Sequence, residues 1–89
     1  MKSPTEKEIQ SRLLDVLRRH VKKPLRAAIG VNARFQADLD MDSLNILVVV
    51  LEVEKDLNLS IGWDTASVNE IGTVADLVKF LSRTSQALA

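Results

Sequence analysis

The sequence contains no cysteine and a single histidine, His20. Without cysteine there is no disulfide framework, no thiolate nucleophile and no cysteine-based zinc site, and one histidine excludes most histidine-based metal chemistry. Metal and thiol catalysis by the chain itself therefore drop out. Long hydrophobic runs are missing too. The longest, Ile46 to Leu51, is far too short to span a bilayer, so stable membrane insertion is not expected. The opening stretch MKSPTEKEIQ lacks the apolar core of a secretory signal, and the expectation is a cytoplasmic protein.

What is present suits one small folded domain. Hydrophobic residues make up 46% of the 89 and charged residues 27%, enough apolar surface to build a core and too short a chain for a deep enclosed active site. The domain is expected to occupy 1–89, with a structured core from about 4 to 83 and a frayed tail at 84–89. Charge is unevenly spread. Residues 1–34 hold nine Lys or Arg against three Asp or Glu, and residues 35–89 hold three against nine, so a strong dipole accompanies zero net charge. The basic run Arg18, Arg19, Lys22, Lys23 and Arg26 reads as a solvated face. The acidic second half and the absence of interleaved aromatics argue against nucleic acid.

Hydrophobic spacing predicts helices. Ser3 as N-cap, Pro4 at the first helical position and Glu6 closing a capping box start a helix that runs to about His20, burying Ile9, Leu13, Val16 and Leu17. Periodicity then fails from Val21 to Met41. Leu25, Ile29, Val31, Phe35 and Leu39 are expected to pin that connection to the core, because a structureless loop of such length is unusual in a compact domain. A second helix over Ser43 to Leu57 has two apolar stripes. Ile46, Val50, Val53 and Leu57 suit the core, whereas Leu44, Val48 and Leu51 form another side that Lys55 carries to solvent. Asp64 or Thr65 starts a short helical turn ending near Asn69. Thr73 to Asp76 forms a capping box ahead of a last helix, Val74 to Arg83, that buries Val74, Leu77, Val78 and Leu81. No convincing strand pair is evident, and the expected fold is all-α, three main helices plus a short one.

Ser43 stands between acids and an aliphatic run. Serine and aspartate at a helix start are usually caps. Nucleophilic use would need a base and an oxyanion site, yet His20 lies on another helix and no Gly-x-Ser-x-Gly turn is present. A helix N-terminus also favours a covalently attached phosphate, since unpaired N–H groups and the positive dipole end stabilise an anion.

The stretch Asp38-Leu39-Asp40-Met41-Asp42-Ser43-Leu44 resembles the Asp-Leu-Gly-x-Asp-Ser-Leu signature of acyl carrier proteins. Phe35, the aliphatic second helix, LEVEKDLNLSI and EIGTVADLVKFL follow in the family's order, so the resemblance covers about Ile9 to Leu81. It implies a four-helix bundle and a 4'-phosphopantetheine arm on Ser43, placed there from coenzyme A by a phosphopantetheinyl transferase that also grips Asp42 and Leu44. The arm's thiol would hold acyl groups as thioesters for acyl-loading, acyl-transferring or condensing enzymes. The chain is then a non-catalytic, monomeric carrier for a specialised fatty-acid, lipid or polyketide pathway. Candidate docking residues are Leu44, Leu47, Val48, Leu51, Ile61 and Trp63. By resemblance, Phe35, Val50, Val53 and Ile61 are candidates to line an acyl pocket. Trp63 also reads as a lid on the core.

Two departures qualify the match. Asp40 stands where glycine is frequent, and Asn45 and Val48 occupy places where acids are common, with Lys55 adding positive charge. Docking is therefore expected to rest more on apolar contact than on electrostatic steering. Two alternatives stay open: an aminoacyl or peptidyl carrier, and an unmodified helical interaction module.

Overall fold

The computed structural model describes residues 5–61 and 70–87, with the backbone alone described at 59–61 and 84–87. The chain order is helix α1 (Glu6–His20), a 3-10 helix η1 (Lys23–Ala28), helix α2 (Ser43–Leu57), strand β1 (Leu59–Ile61), helix α3 (Val74–Thr84) and strand β2 (Ser85–Ala87). The protein is mostly helical, in the manner of a small carrier-like bundle.

Helix α1 starts two residues later than the Ser3 box predicts. Thr5 is the N-cap. Its hydroxyl accepts from the Glu8 N–H at 3.1 Å, and Glu8 Oε1 accepts from the Thr5 N–H at 3.5 Å. Two overlapping Ser/Thr-x-x-Glu patterns stand here in sequence, and the second is closed by this reciprocal pairing. The expected stripe is buried in full, with Ile9, Leu13, Val16 and Leu17 each at 0% exposure. It packs against α2 and α3.

Helix α2 has the predicted bounds. Val49 joins Ile46, Val50 and Val53 on its buried face because it sits one turn from Ile46 and Val53, while Leu57 is only partly buried. Asn58 ends the helix in the left-handed conformation, at φ 52°, and its N–H caps the carbonyls of Glu54 and Lys55. Helix α3 buries Val74, Leu77, Val78 and Leu81 as expected, and Phe80 besides. Thr73 Oγ1 accepts from the Asp76 N–H at 3.2 Å, which completes the predicted box.

Three features depart from the sequence reading. First, the connection after α1 contains the 3-10 helix η1, started by Pro24 within its first two positions. Leu25 and Ile29 pack against the core, and Phe35 and Leu39 are buried as expected, together with Val21, Ala33 and Met41. Second, a strand pair exists. β1 and β2 are antiparallel, with Ser60 opposite Gln86. Third, that pairing orders residues 85–87, so the segment read as a frayed tail is partly a strand. Three-residue strands are held by backbone hydrogen bonds and are too short to show an alternating pattern. The short turn expected at 64–69 and Trp63 lie outside the described residues.

Candidate functional site

The residues ahead of α2 form a turn fastened at several points. The Phe35 N–H donates to the Gly72 carbonyl at 3.0 Å, and the Val74 N–H donates to the Ala33 carbonyl at 3.0 Å, so residues 33–35 run beside 72–74. Phe35, Leu39 and Met41, each at most 3% exposed, peg this turn into the core. The Asp38 carboxylate accepts from the Arg34 N–H at 2.8 Å. That backbone bond chiefly holds the Asp38 carboxyl below the ordinary carboxylate range.

Asp40 adopts φ 52°, the left-handed region. The turn thus demands the geometry that a glycine supplies most readily, and aspartate is among the side chains that tolerate it. Its carboxylate accepts from Lys22 Nζ at 2.7 Å, and this bond lowers the Asp40 pKa and raises that of Lys22.

Asp42, not Ser43, caps α2. Its Oδ1 accepts from the Asn45 N–H at 2.9 Å, and the Asn45 side chain accepts from the Asp42 N–H at 3.2 Å. Ser43 is the first helical residue and is exposed. Its hydroxyl has no hydrogen-bond partner among the described residues. The single histidine, His20, is engaged elsewhere: its Nε2 is 2.7 Å from Glu52 Oε1. Glu52 lies nine residues further along α2, about 13 Å down the axis at 1.5 Å per residue.

Beside Ser43 opens a cavity of about 450 Å³, walled by residues 34–37, Ile46 and residues 71–72. On the side of α2 away from the core, Leu44, Val48 and Leu51 are 67%, 41% and 53% exposed, and Leu47 is half-buried. An exposed serine thus sits where an aliphatic surface strip meets a half-open cavity.

A model of the family described as "Phosphopantetheine attachment site" matches residues 8–81. The chain belongs to the acyl carrier protein family. An acyl carrier protein of Onion yellows phytoplasma (strain OY-M) is 35% identical to it over 57 residues, spanning 64% of this chain and 72% of that protein. The family's cofactor is 4'-phosphopantetheine, covalently attached. A free, exposed hydroxyl next to a cavity of this size fits such a group.

The structure sorts the candidate residues. Asp42, Ser43 and Leu44 stand together at the start of α2, and Leu47, Val48 and Leu51 continue from Leu44 along one side. Of the acyl-pocket candidates, Phe35 lines the cavity beside Ser43, whereas Val50 and Val53 are buried in the core at 1% and 0% exposure. The side chain of Ile61 lies outside the described residues. Sequence reasoning missed Arg34, Gln36, Ile71 and Gly72 as neighbours of Ser43. They come from two segments joined only by tertiary backbone bonds, and the capping box at Thr73 was the sole local sign of an ordered turn there.

Among the described residues, no helix is long and apolar enough to cross a membrane.

Proposed function

We propose that Ser43 is the attachment point and that the protein is a discrete, non-catalytic acyl carrier of the cytoplasm, serving a specialised fatty-acid, lipid or polyketide pathway. The observation that carries this reading is the division of labour at the start of α2. Asp42 closes the cap with Asn45, which leaves the Ser43 hydroxyl exposed and without a hydrogen-bond partner among the described residues. A serine needed for the cap would have to break that bond to be modified.

In this reading a phosphopantetheinyl transferase joins Ser43 Oγ to the phosphopantetheine of coenzyme A, releasing adenosine 3',5'-bisphosphate. The hydroxyl proton leaves to a base of the transferase. When bound, the group supplies the thiol for thioesters that the cysteine-free chain lacks. The rest is presentation. The buried pegs Phe35, Leu39 and Met41 fix the turn, the turn fixes Ser43, and Asp42 and Leu44 flank it for the transferase to grip. Leu44, Leu47, Val48 and Leu51 form the strip against which loading and condensing enzymes dock, an arrangement that favours apolar contact.

Intact mass after incubation with coenzyme A and a broad-specificity phosphopantetheinyl transferase tests the assignment. A gain of one phosphopantetheine, absent from a folded Ser43→Ala variant, is the expected result. A gain that persists in Ser43→Ala would move the attachment elsewhere, and no gain on either protein would reject it.

A further inference from the structure

The electrostatics around Ser43 pose a problem that attachment creates. Asp38, Asp40 and Asp42 all precede it within five residues, and a phosphodiester on Ser43 Oγ would add a negative charge among them. The neighbouring cations are unequally available. Lys22 is held by Asp40 at 2.7 Å. Arg34 Nε lies 3.5 Å from the Asp38 carboxylate, which also takes the Arg34 backbone N–H at 2.8 Å. The two terminal nitrogens of Arg34 have no partner among the described residues.

Among the described residues, Arg34 is also the one charged residue lining the cavity that Ser43 borders. The remaining wall is mixed, with the Gln36 amide and Gly72 backbone beside Phe35, Ile46 and Ile71. Its volume of about 450 Å³ falls within the range of small-molecule sites, about 300–1,000 Å³. A planar guanidinium that presents its terminal N–H groups suits the oxygens of a phosphodiester, and an amide-bearing aliphatic chain suits a wall of this composition.

We infer that Arg34 anchors the phosphodiester of the attached arm, and that the arm folds back into the cavity between residues 34–37 and 71–72 instead of standing free in solvent. The inference rests on attachment at Ser43 and adds a direction to it. Arg34 acts as a positioning residue. It draws the phosphate toward the cavity and offsets the negative charge there, so that the arm has a docked position on the carrier from which partner enzymes must withdraw it.

The test is NMR on apo and mass-verified holo protein, for the wild type and for Arg34→Ala and Arg34→Lys. In the wild type, attachment is expected to shift the amide resonances of residues 34–37 and 71–72 as well as those of 42–45, and to broaden the phosphorus resonance relative to free phosphopantetheine. Arg34→Ala is expected to abolish the shifts at 34–37 and 71–72 and narrow the phosphorus line. Arg34→Lys, which keeps the charge without the fork, is expected to retain part of both. Apo spectra of the variants report whether the turn itself is intact, since the exposed Arg34 side chain can be removed without touching its backbone bond to Asp38. Holo protein with shifts confined to 42–45, or an Arg34→Ala spectrum matching the wild type, would overturn the inference and leave attachment standing. No mass gain would overturn the attachment reading, and this inference with it.

Discussion

Lys22 Nζ lies 2.7 Å from Asp40 Oδ2, which ties the end of the basic first segment to the left-handed residue just ahead of Ser43. The two interactions at Asp40 pull in opposite directions. The backbone at φ 52° costs an L-residue conformational energy that glycine escapes. The ion pair is well exposed and contributes little.

Asp40→Gly is therefore expected to raise Tm by a few degrees, and Lys22→Ala to lower it slightly. Raising salt to about 1 M screens the pair, so the advantage of Asp40→Gly should widen and the deficit of Lys22→Ala should vanish. Thermal melts at two salt concentrations decide it. A lower Tm for Asp40→Gly at both would mean that the carboxylate does more for the turn than its backbone costs.

The two sides of the helices should answer separately to truncation. Leu77 is fully buried, and Leu77→Ala should cost about 2–5 kcal/mol, a large part of the stability of a domain this size. Leu44 is 67% exposed, and Leu44→Ala should change stability by less than about 0.5 kcal/mol. If the strip on α2 is a docking surface, Leu44→Ala nevertheless slows modification by the transferase while its denaturation curve overlays the wild type. Unchanged modification kinetics would remove Leu44 from that surface.

Ser82, inside α3, has a buried Oγ without a hydrogen-bond partner among the described residues. An unmet buried hydroxyl costs about 1–3 kcal/mol, and alanine also has the higher helix propensity. Ser82→Ala should therefore stabilise the fold by about 1 kcal/mol, read as a Tm increase of about 4–8 °C. A decrease would indicate that the hydroxyl is satisfied in solution.

Local chemistry explains which parts of this architecture could be read in advance. The bounds of α2 follow from Asp42 and the aliphatic run, and the box at Thr73 and Asp76 marks α3, because caps and periodicity are local signals. The start of α1 was misplaced because Ser3 and Thr5 each precede a glutamate by three residues, and nothing local chooses between them. Pro24 reads as punctuation, yet a proline early in η1 is compatible with that short helix, since its missing N–H is one of the unpaired ones. The strand pair and the cavity beside Ser43 depend on contacts between distant segments. Arg34 and Gly72 are joined by no pattern in sequence, only by the bonds between residues 33–35 and 72–74. The motif around Ser43 names the candidate residue; the walls beside it are a tertiary property.

Asp76 links the start of α3 to pH. Its Oδ2 accepts from the N–H groups of Thr73 and Gly72, both at 3.1 Å, and these bonds hold its carboxyl below the ordinary carboxylate range. A pKa lower in the folded than in the unfolded chain means that the ionised form stabilises the fold. That contribution is fully present above the unfolded value, about 3.9, and is lost as pH falls through the lower folded value. Asp38 and Asp40 are shifted the same way, so the acid limb of the wild-type stability curve is a composite. Asp76→Asn isolates one part of it. The variant should be less stable than the wild type between about pH 5 and 7, and the gap should close as the wild-type carboxyl is protonated below about pH 4. Because Gly72 also borders the cavity beside Ser43, its amide resonance should move with the same titration in the wild type and stay still in Asp76→Asn. A stability gap that stays constant down to low pH would show that Asp76 acts through its shape and hydrogen bonds, with no contribution from its charge.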